Sequence, residues 1–450
     1  MSTLTIAIVI VFIIGYAGIA LESVTKVNKA AVALLMFVAC WTLYMVSPES
    51  YVPGAGGMDA SSLLSKVNSI IEEHLGSTAT TLFFLMGAMT IVEIVDQNGG
   101  FNFVRNALRT KSKRKLMWRI VLLTFFLSAI LDNMTTTIVM IMVLRKLVAD
   151  HNDRLIYASL VVIAANAGGA FSPIGDVTTI MLWNKSLITS AGVIKEIFIP
   201  SVIAIVVPAI VLQFSLHGKL AAAGGPAVNS ESNAFTDRER KVIFFLGVGG
   251  LIFVPIFRYL TNLPPFVGIL LVLALLWVTT ELFYRHLRGK EEKGSMNKRV
   301  SNVLSKIDMS TILFFLGILM AVSCLEEVGV LGAVGKWLNQ VSGGNHYIVT
   351  GTIGVISSIV DNVPLVAGCM GMYPLAATGD FAVDGIFWQL LAYCAGVGGS
   401  MLIIGSAAGV VAMGLEKISF GWYMKHISWI AFLGYIAGIF SYFLLRTFIF

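Results

Sequence analysis

What most constrains this chain is a series of apolar stretches, each near the length that crosses a bilayer, spread over almost all of it. A helix needs ~20 mostly apolar residues to span the hydrocarbon core, with a range of ~17–25. Segments 4–21, 29–47, 79–97, 155–183, 194–217, 241–260, 265–284, 310–328, 385–415 and 427–448 meet that requirement. Of the 450 residues, 57% are hydrophobic and 12% charged, against ~25% charged in an ordinary soluble domain. Too little polar surface remains to cover a soluble globule, which excludes a soluble enzyme. The net charge of +6 lies in short basic runs between the apolar stretches. That is a membrane-topology pattern, not a nucleic-acid surface. The chain therefore reads as an all-α polytopic membrane protein whose first partner is the lipid bilayer.

Two further apolar stretches, 119–147 and 346–376, carry Asp132-Asn133 and Asp361-Asn362 at their centres. Each predicts two half-length helices meeting at a polar tip, a re-entrant hairpin. Such irregular backbone is tolerated at depth only where protein or a water-filled cavity surrounds it. About ten spans plus two hairpins put most of the 31 Lys and Arg on one side. By the positive-inside rule that side is cytoplasmic, with both termini outside, in a cell inner membrane. Segment 4–21 lacks a preceding basic residue and reads as a retained helix, not a cleaved signal peptide. The four cysteines lie within apolar segments and read as core residues.

The chain repeats itself. Phe83-Phe84-Leu85 returns as Phe314-Phe315-Leu316, Asp132-Asn133 as Asp361-Asn362, and Gly168-Gly169 with Gly175 as Gly398-Gly399 with Gly405, all near one offset. The repeats run over 1–217 (hairpin 119–147, broken span 155–183) and 241–450 (hairpin 346–376, broken span 385–415), joined by a cytoplasmic linker, 218–240. Each holds five spans and one hairpin. Five is odd, so the second copy is upside down: the inverted-repeat architecture of secondary transporters, with a midplane site between repeats.

Three acids fall mid-membrane: Asp132, Asp361 and Asp176. Ionisable residues there are costly and usually mark an ion or proton path. The first tip adds Asn133, Thr135 and Thr136 to Asp132; the second gathers Ser357, Ser358, Asp361 and Asn362. Oxygen ligands of this kind suit a hard cation such as sodium, although membrane Ser and Thr hydroxyls also back-bond to their own helix. A second break, Asn166 to Thr179, is unwound by Gly168, Gly169, Pro173 and Gly175 and flanked by Asn166, Asp176, Thr178 and Thr179. Its counterpart, Gly396 to Ser406, keeps the glycines but has no acid, so the site is expected to be asymmetric. Glu93, Asp96, Glu326 and Glu327, near span ends, are candidate proton relays or simply interfacial acids. The histidines are expected in loops or at span ends.

The stretches Leu131-Asp132-Asn133-Met134-Thr135-Thr136-Thr137 and Ser172-Pro173-Ile174-Gly175-Asp176-Val177-Thr178-Thr179 resemble those of the NhaD-type sodium/proton antiporters. These are a branch of the ion transporter superfamily that also holds arsenite pumps and dicarboxylate/sodium symporters. The resemblance implies a homodimer with a scaffold and a mobile transport domain, exchanging sodium or lithium for protons, with no cofactor. Asp132, Asp361 and Asp176 are then where sodium and protons compete. An anion, dicarboxylate or arsenite transporter of the same fold is the rival reading; it would want a neutral site with a basic residue, and no Arg or Lys lies mid-span. No nucleotide motif appears. Segments 101–117 and 331–341, just before the two hairpins, read as interfacial connectors.

Overall fold

The structure, a computed structural model, describes residues 2–20, 25–52, 54–99, 108, 110–216, 218, 220, 235–286, 303–305, 307–359 and 362–449. Asp361, most of the linker 218–240 and residues 101–107 and 109 of the first connector lie outside the described residues. The first repeat begins with α1 (Thr3–Ala20), α2 (Lys29–Tyr44) and α3 (Ala60–Gln97). The hairpin pair α4 (Lys113–Ser128) and α5 (Asn133–Leu147) follows, then α6 (His151–Ala170), α7 (Val177–Asn184) and α8 (Ser190–Leu212). The second repeat runs α9 (Asp237–Thr261), α10 (Pro265–His286), α11 (Met309–Glu327) and the connector α12 (Val330–Val341). It ends with the hairpin α13 (His346–Ser357) and α14 (Asn362–Met372), the broken span α15 (Ile386–Gly398) and α16 (Ala407–Glu416), and α17 (Phe420–Phe448).

Among the described residues, six helices are long and apolar enough to cross a membrane unaided: α3, α8, α9, α10, α11 and α17. The shorter α1 and α2 and the two interrupted rods α6/α7 and α15/α16 complete the span pattern. One sequence expectation shifts. Residues 60–78, expected in an external loop, form the first half of α3. No proline interrupts them, and at 38 residues the helix is ~57 Å long, longer than the ~45 Å of a typical bilayer with its headgroups. His74 is therefore helical, not in a loop. The hairpins are also unequal: arms of 16 and 15 residues in the first, 12 and 11 in the second.

The inverted relation is visible in which residues meet. The repeat-equivalent helices α3 and α11 run antiparallel: His74 bonds Glu327, and four residues on, Thr78 reaches back to Met320. So do α8 and α17, where Tyr442 and Arg446 bond Glu196 while Gly434 lies against Ala204. The repeats also interlock. Helix α2 packs on α11 of the other repeat, and α10 packs on α3. Each hairpin's second arm packs on the second half of the other repeat's broken span, α5 on α16 and α14 on α7.

Hairpin and broken span approach each other closely in both repeats. A Cβ at Gly168 would strike the Phe125 carbonyl, and one at Gly398 the Gly354 carbonyl. Ser128 Oγ donates to the Ala165 carbonyl at 2.6 Å and Ser357 Oγ to the Ala395 carbonyl at 2.9 Å, the same strut twice. Backbone contact at this range is how small residues replace hydrophobic driving force inside a bilayer.

Candidate cation site

The breaks in the helices put polar caps where a soluble protein would put its surface. Helix N-termini leave backbone N–H groups without partners, and Asp or Ser side chains satisfy them. Asp132 caps α5: its carboxylate accepts from Thr135 N at 2.8 Å and Thr135 Oγ1 at 2.5 Å. Asp176 caps α7: Oδ1 accepts from Thr178 N and Thr178 Oγ1, both at 3.0 Å, and Thr179 Oγ1 donates to the Asp176 carbonyl. Ser406 caps α16 by accepting from Gly409 N at 3.2 Å.

Asn133 ties these breaks together. Its amide nitrogen donates to Asp176 Oδ2 at 2.8 Å and to Asn166 Oδ1 at 3.1 Å. Asn362, from the second hairpin, lies 3.4 Å from both Asp176 oxygens. The Asn166 amide nitrogen in turn donates to Ser400 Oγ at 3.0 Å and Ser406 Oγ at 2.8 Å. Asp176 is 1% exposed, and Asn133, Asn166, Asn362, Thr178 and Thr179 are buried with it. One network thus joins both hairpins and both broken spans.

A cavity of about 360 Å³ opens onto this network, touching Asp132, Asn133, Thr135, Asp176 and Asn362. Its walls are apolar, with Phe84 and Phe315 from α3 and α11. Farther out it meets Glu93, Asp96, Lys29 and Asp308. A second cavity, of about 280 Å³, lies along other stretches of the same two helices, lined by His74, Thr78, Ser323 and Glu326. It meets Asn184 and Met370 but neither Asp132 nor Asp176.

The sequence candidates therefore separate. Asp132, Asn133, Thr135, Asp176 and Asn362 share the first cavity, and Glu93 and Asp96 line its outer part. Glu326 lines the second cavity, while Glu327 pairs with His74 at 2.8 Å. The Ser357 hydroxyl goes to the Ala395 carbonyl and that of Ser358 to Val355. Thr136 is fully buried and its hydroxyl has no partner. Asp308 and Lys29 were missed. Asp308 bonds Thr311 ahead of an apolar run, a cap pattern legible in the sequence. Ser400 and Ser406 were missed as site residues too, although the repeat places Ser406 where the first copy has Asp176.

Comparison with known proteins places this geometry. The citrate transporter family (CitMHS) matches residues 9–391. Sodium/proton antiporter 1 of Arabidopsis thaliana is 43% identical over 97% of this chain and 72% of its own length. Sodium/proton antiporter 2 of the same plant is 39% identical over 98% and 99%. The Na(+)/H(+) antiporter NhaD of Halomonas elongata is 30% identical over 96% and 86%. Among solved structures, the YdaH transporter of Alcanivorax borkumensis superposes with a TM-score of 0.61 at 12% identity, covering 92% of this chain and 98% of that one, a likeness of fold. The chain is thus a multi-pass membrane transporter of the citrate transporter family, and within it belongs with the NhaD-type sodium/proton antiporters.

Proposed function

We propose that the protein exchanges sodium or lithium for protons by alternating access, with cation and proton competing at Asp176 and Asp132. The observation that carries the reading is the junction of Asp176, Asn133 and Asn362 at the floor of a cavity that also exposes Asp132. A bare buried carboxylate is costly. A proton removes that cost, and so does a sodium ion, but each excludes the other. Asn133 and Asn362 bring amide groups whose oxygens are hard ligands for a partly dehydrated cation. A resident metal cofactor has no place in this cycle; sodium is cargo.

The two cavities supply the two sides. The first, reaching Asp176, opens toward the side with most of the basic loops, the cytoplasm on the positive-inside rule, with both termini outside. At the opposite end α7 is held against the scaffold: Arg258 donates to the Trp183 carbonyl at 2.7 Å and Asn184 approaches Thr81 at 3.3 Å. Shifting the hairpins and broken spans against α3 and α11 would close the first cavity and open the second. A homodimer would anchor the scaffold helices during that shift.

The test uses everted membrane vesicles from cells without antiporters, acidified inside and followed with a pH-sensitive dye. Sodium or lithium should restore the dye signal in wild type and not in Asp176→Asn or Asp132→Asn. Where the site is protonated, the sodium concentration at half-effect should fall ~tenfold per pH unit and level off once the carboxylate is ionised. Failure with every cation in membranes that contain folded protein, alongside uptake of citrate or arsenite, would replace this reading with anion transport.

A further inference from the structure

The repeat allows the two broken spans to be laid on one another. Asn166 corresponds to Gly396, Ala170 to Ser400 and Asp176 to Ser406. The contacts follow the same correspondence. Asn166 meets Ser400 and Ser406, while Gly396 lies against Ala170, whose Cβ a side chain at 396 would reach at 3.0 Å. The architecture therefore contains two related half-sites with opposite chemistry.

In the half built on Asp176, the positions equivalent to Asn166 and Ser400 are Gly396 and Ala170, which carry no polar group, and the hairpin donors on the carboxylate are the amides of Asn133 and Asn362. Its carboxylate is reached by the cavity. In the half built on Ser406, two hydroxyl oxygens converge on one point from 2.8 and 3.0 Å. These are two of the several oxygens a small cation would need, and an amide NH2 group stands between them instead. Its two hydrogens satisfy both oxygens without any charge. The other end of the same amide is held by Asn133. Asn166, Ser400 and Ser406 are all buried, and the cavity touches none of them.

We infer that the Asn166 amide occupies the second of two repeat-related cation positions, so that each protomer binds a single sodium ion, in the Asp176 half. The inference rests on the sodium reading proposed above. Asn166 is then a positioning residue that sets the number of ions, not a ligand to one. Replacing Ser406 by Asp alone leaves the amide in place to bond the new carboxylate. Replacing Ser406 by Asp and Asn166 by Ala leaves a buried carboxylate beside Ser400 without the amide donor, and at the alkaline pH of the experiment such a charge draws in a cation. Asp caps a helix about as well as Ser, so α16 keeps its N-cap.

The experiment counts ions. Full-length protein in nanodiscs is saturated with radioactive sodium at alkaline pH, and bound sodium is divided by protomers. One ion is expected for wild type and for Ser406→Asp, two for Asn166→Ala with Ser406→Asp, and none for Asp176→Asn. Two ions on wild type, or two on Ser406→Asp alone, overturns the inference whatever the double variant does. One ion on a monodisperse double variant overturns it as well. Should that variant not fold, Asn166→Gly with Ser406→Asp takes its place under the same expectation. No sodium on wild type strikes at the sodium reading itself, a result distinct from either count.

Discussion

The two repeats share a backbone and divide the chemistry. Each has a hairpin, a broken span and the same struts: Ser128 to Ala165 in one, Ser357 to Ala395 in the other. Each brings glycine backbone against a hairpin carbonyl, Gly168 on Phe125 and Gly398 on Gly354. The capping positions differ. Asp176 opens α7, but Ser406 opens α16. The interior positions differ in the reverse sense, Asn166 against Gly396. Close packing has to be satisfied in both halves or the fold fails, so both retain it. A buried charge is costly wherever no ligand uses it, and of the two broken spans only the first carries an acid at its break, Asp176, where the second carries Ser406.

Four measurements would sharpen or break this contrast, in descending size. Asp176→Asn replaces the one buried carboxylate at the junction of Asn133 and Asn362 with a neutral amide. It should cut cation-dependent dye recovery by more than ~100-fold while leaving the protein monodisperse. Full activity in that variant would erase the functional difference between the halves. Next come Gly168→Ala and Gly398→Ala, each forcing a methyl group onto a backbone carbonyl. Each should cost ~3 kcal/mol, read as a large fall in apparent melting temperature in detergent; a large loss in one repeat only would mean the halves do not share their packing. Ser406→Ala removes a helix cap and one partner of Asn166, and should cost ~1–2 kcal/mol by the same melting measurement. Smallest are Ser128→Ala and Ser357→Ala. Each deletes one strut, and the two should match each other at ~1 kcal/mol.

Much of this was legible because the bilayer simplifies the physics. Backbone groups inside it must bond within helices, so hydropathy alone located the spans. Asp132-Asn133 and the glycine run at 168–175 stood out because polarity and helix breaking are rare at that depth. An odd span count per repeat sufficed to imply inversion, which the antiparallel α3 and α11 display. Residues 60–78 were not legible as helix. Their polarity resembles a loop, and only packing of His74 and Thr78 against α11 shows why they continue α3. The unequal hairpins were equally hidden, since the tip residues say nothing about where each arm ends.

The sequence by itself determined the membrane class, the duplication and the identity of the acids, because these depend on local composition and on matches along one chain. The tertiary structure decided which groups act together. Asn166 meets Ser400 and Ser406, residues 234 and 240 positions away. Asp176 meets Asn362 across 186 positions. Nothing local encodes such pairings. They arise because interlocked inverted repeats carry each hairpin onto the other repeat's broken span, and the buried polar atoms there must then find partners among whatever that packing delivers.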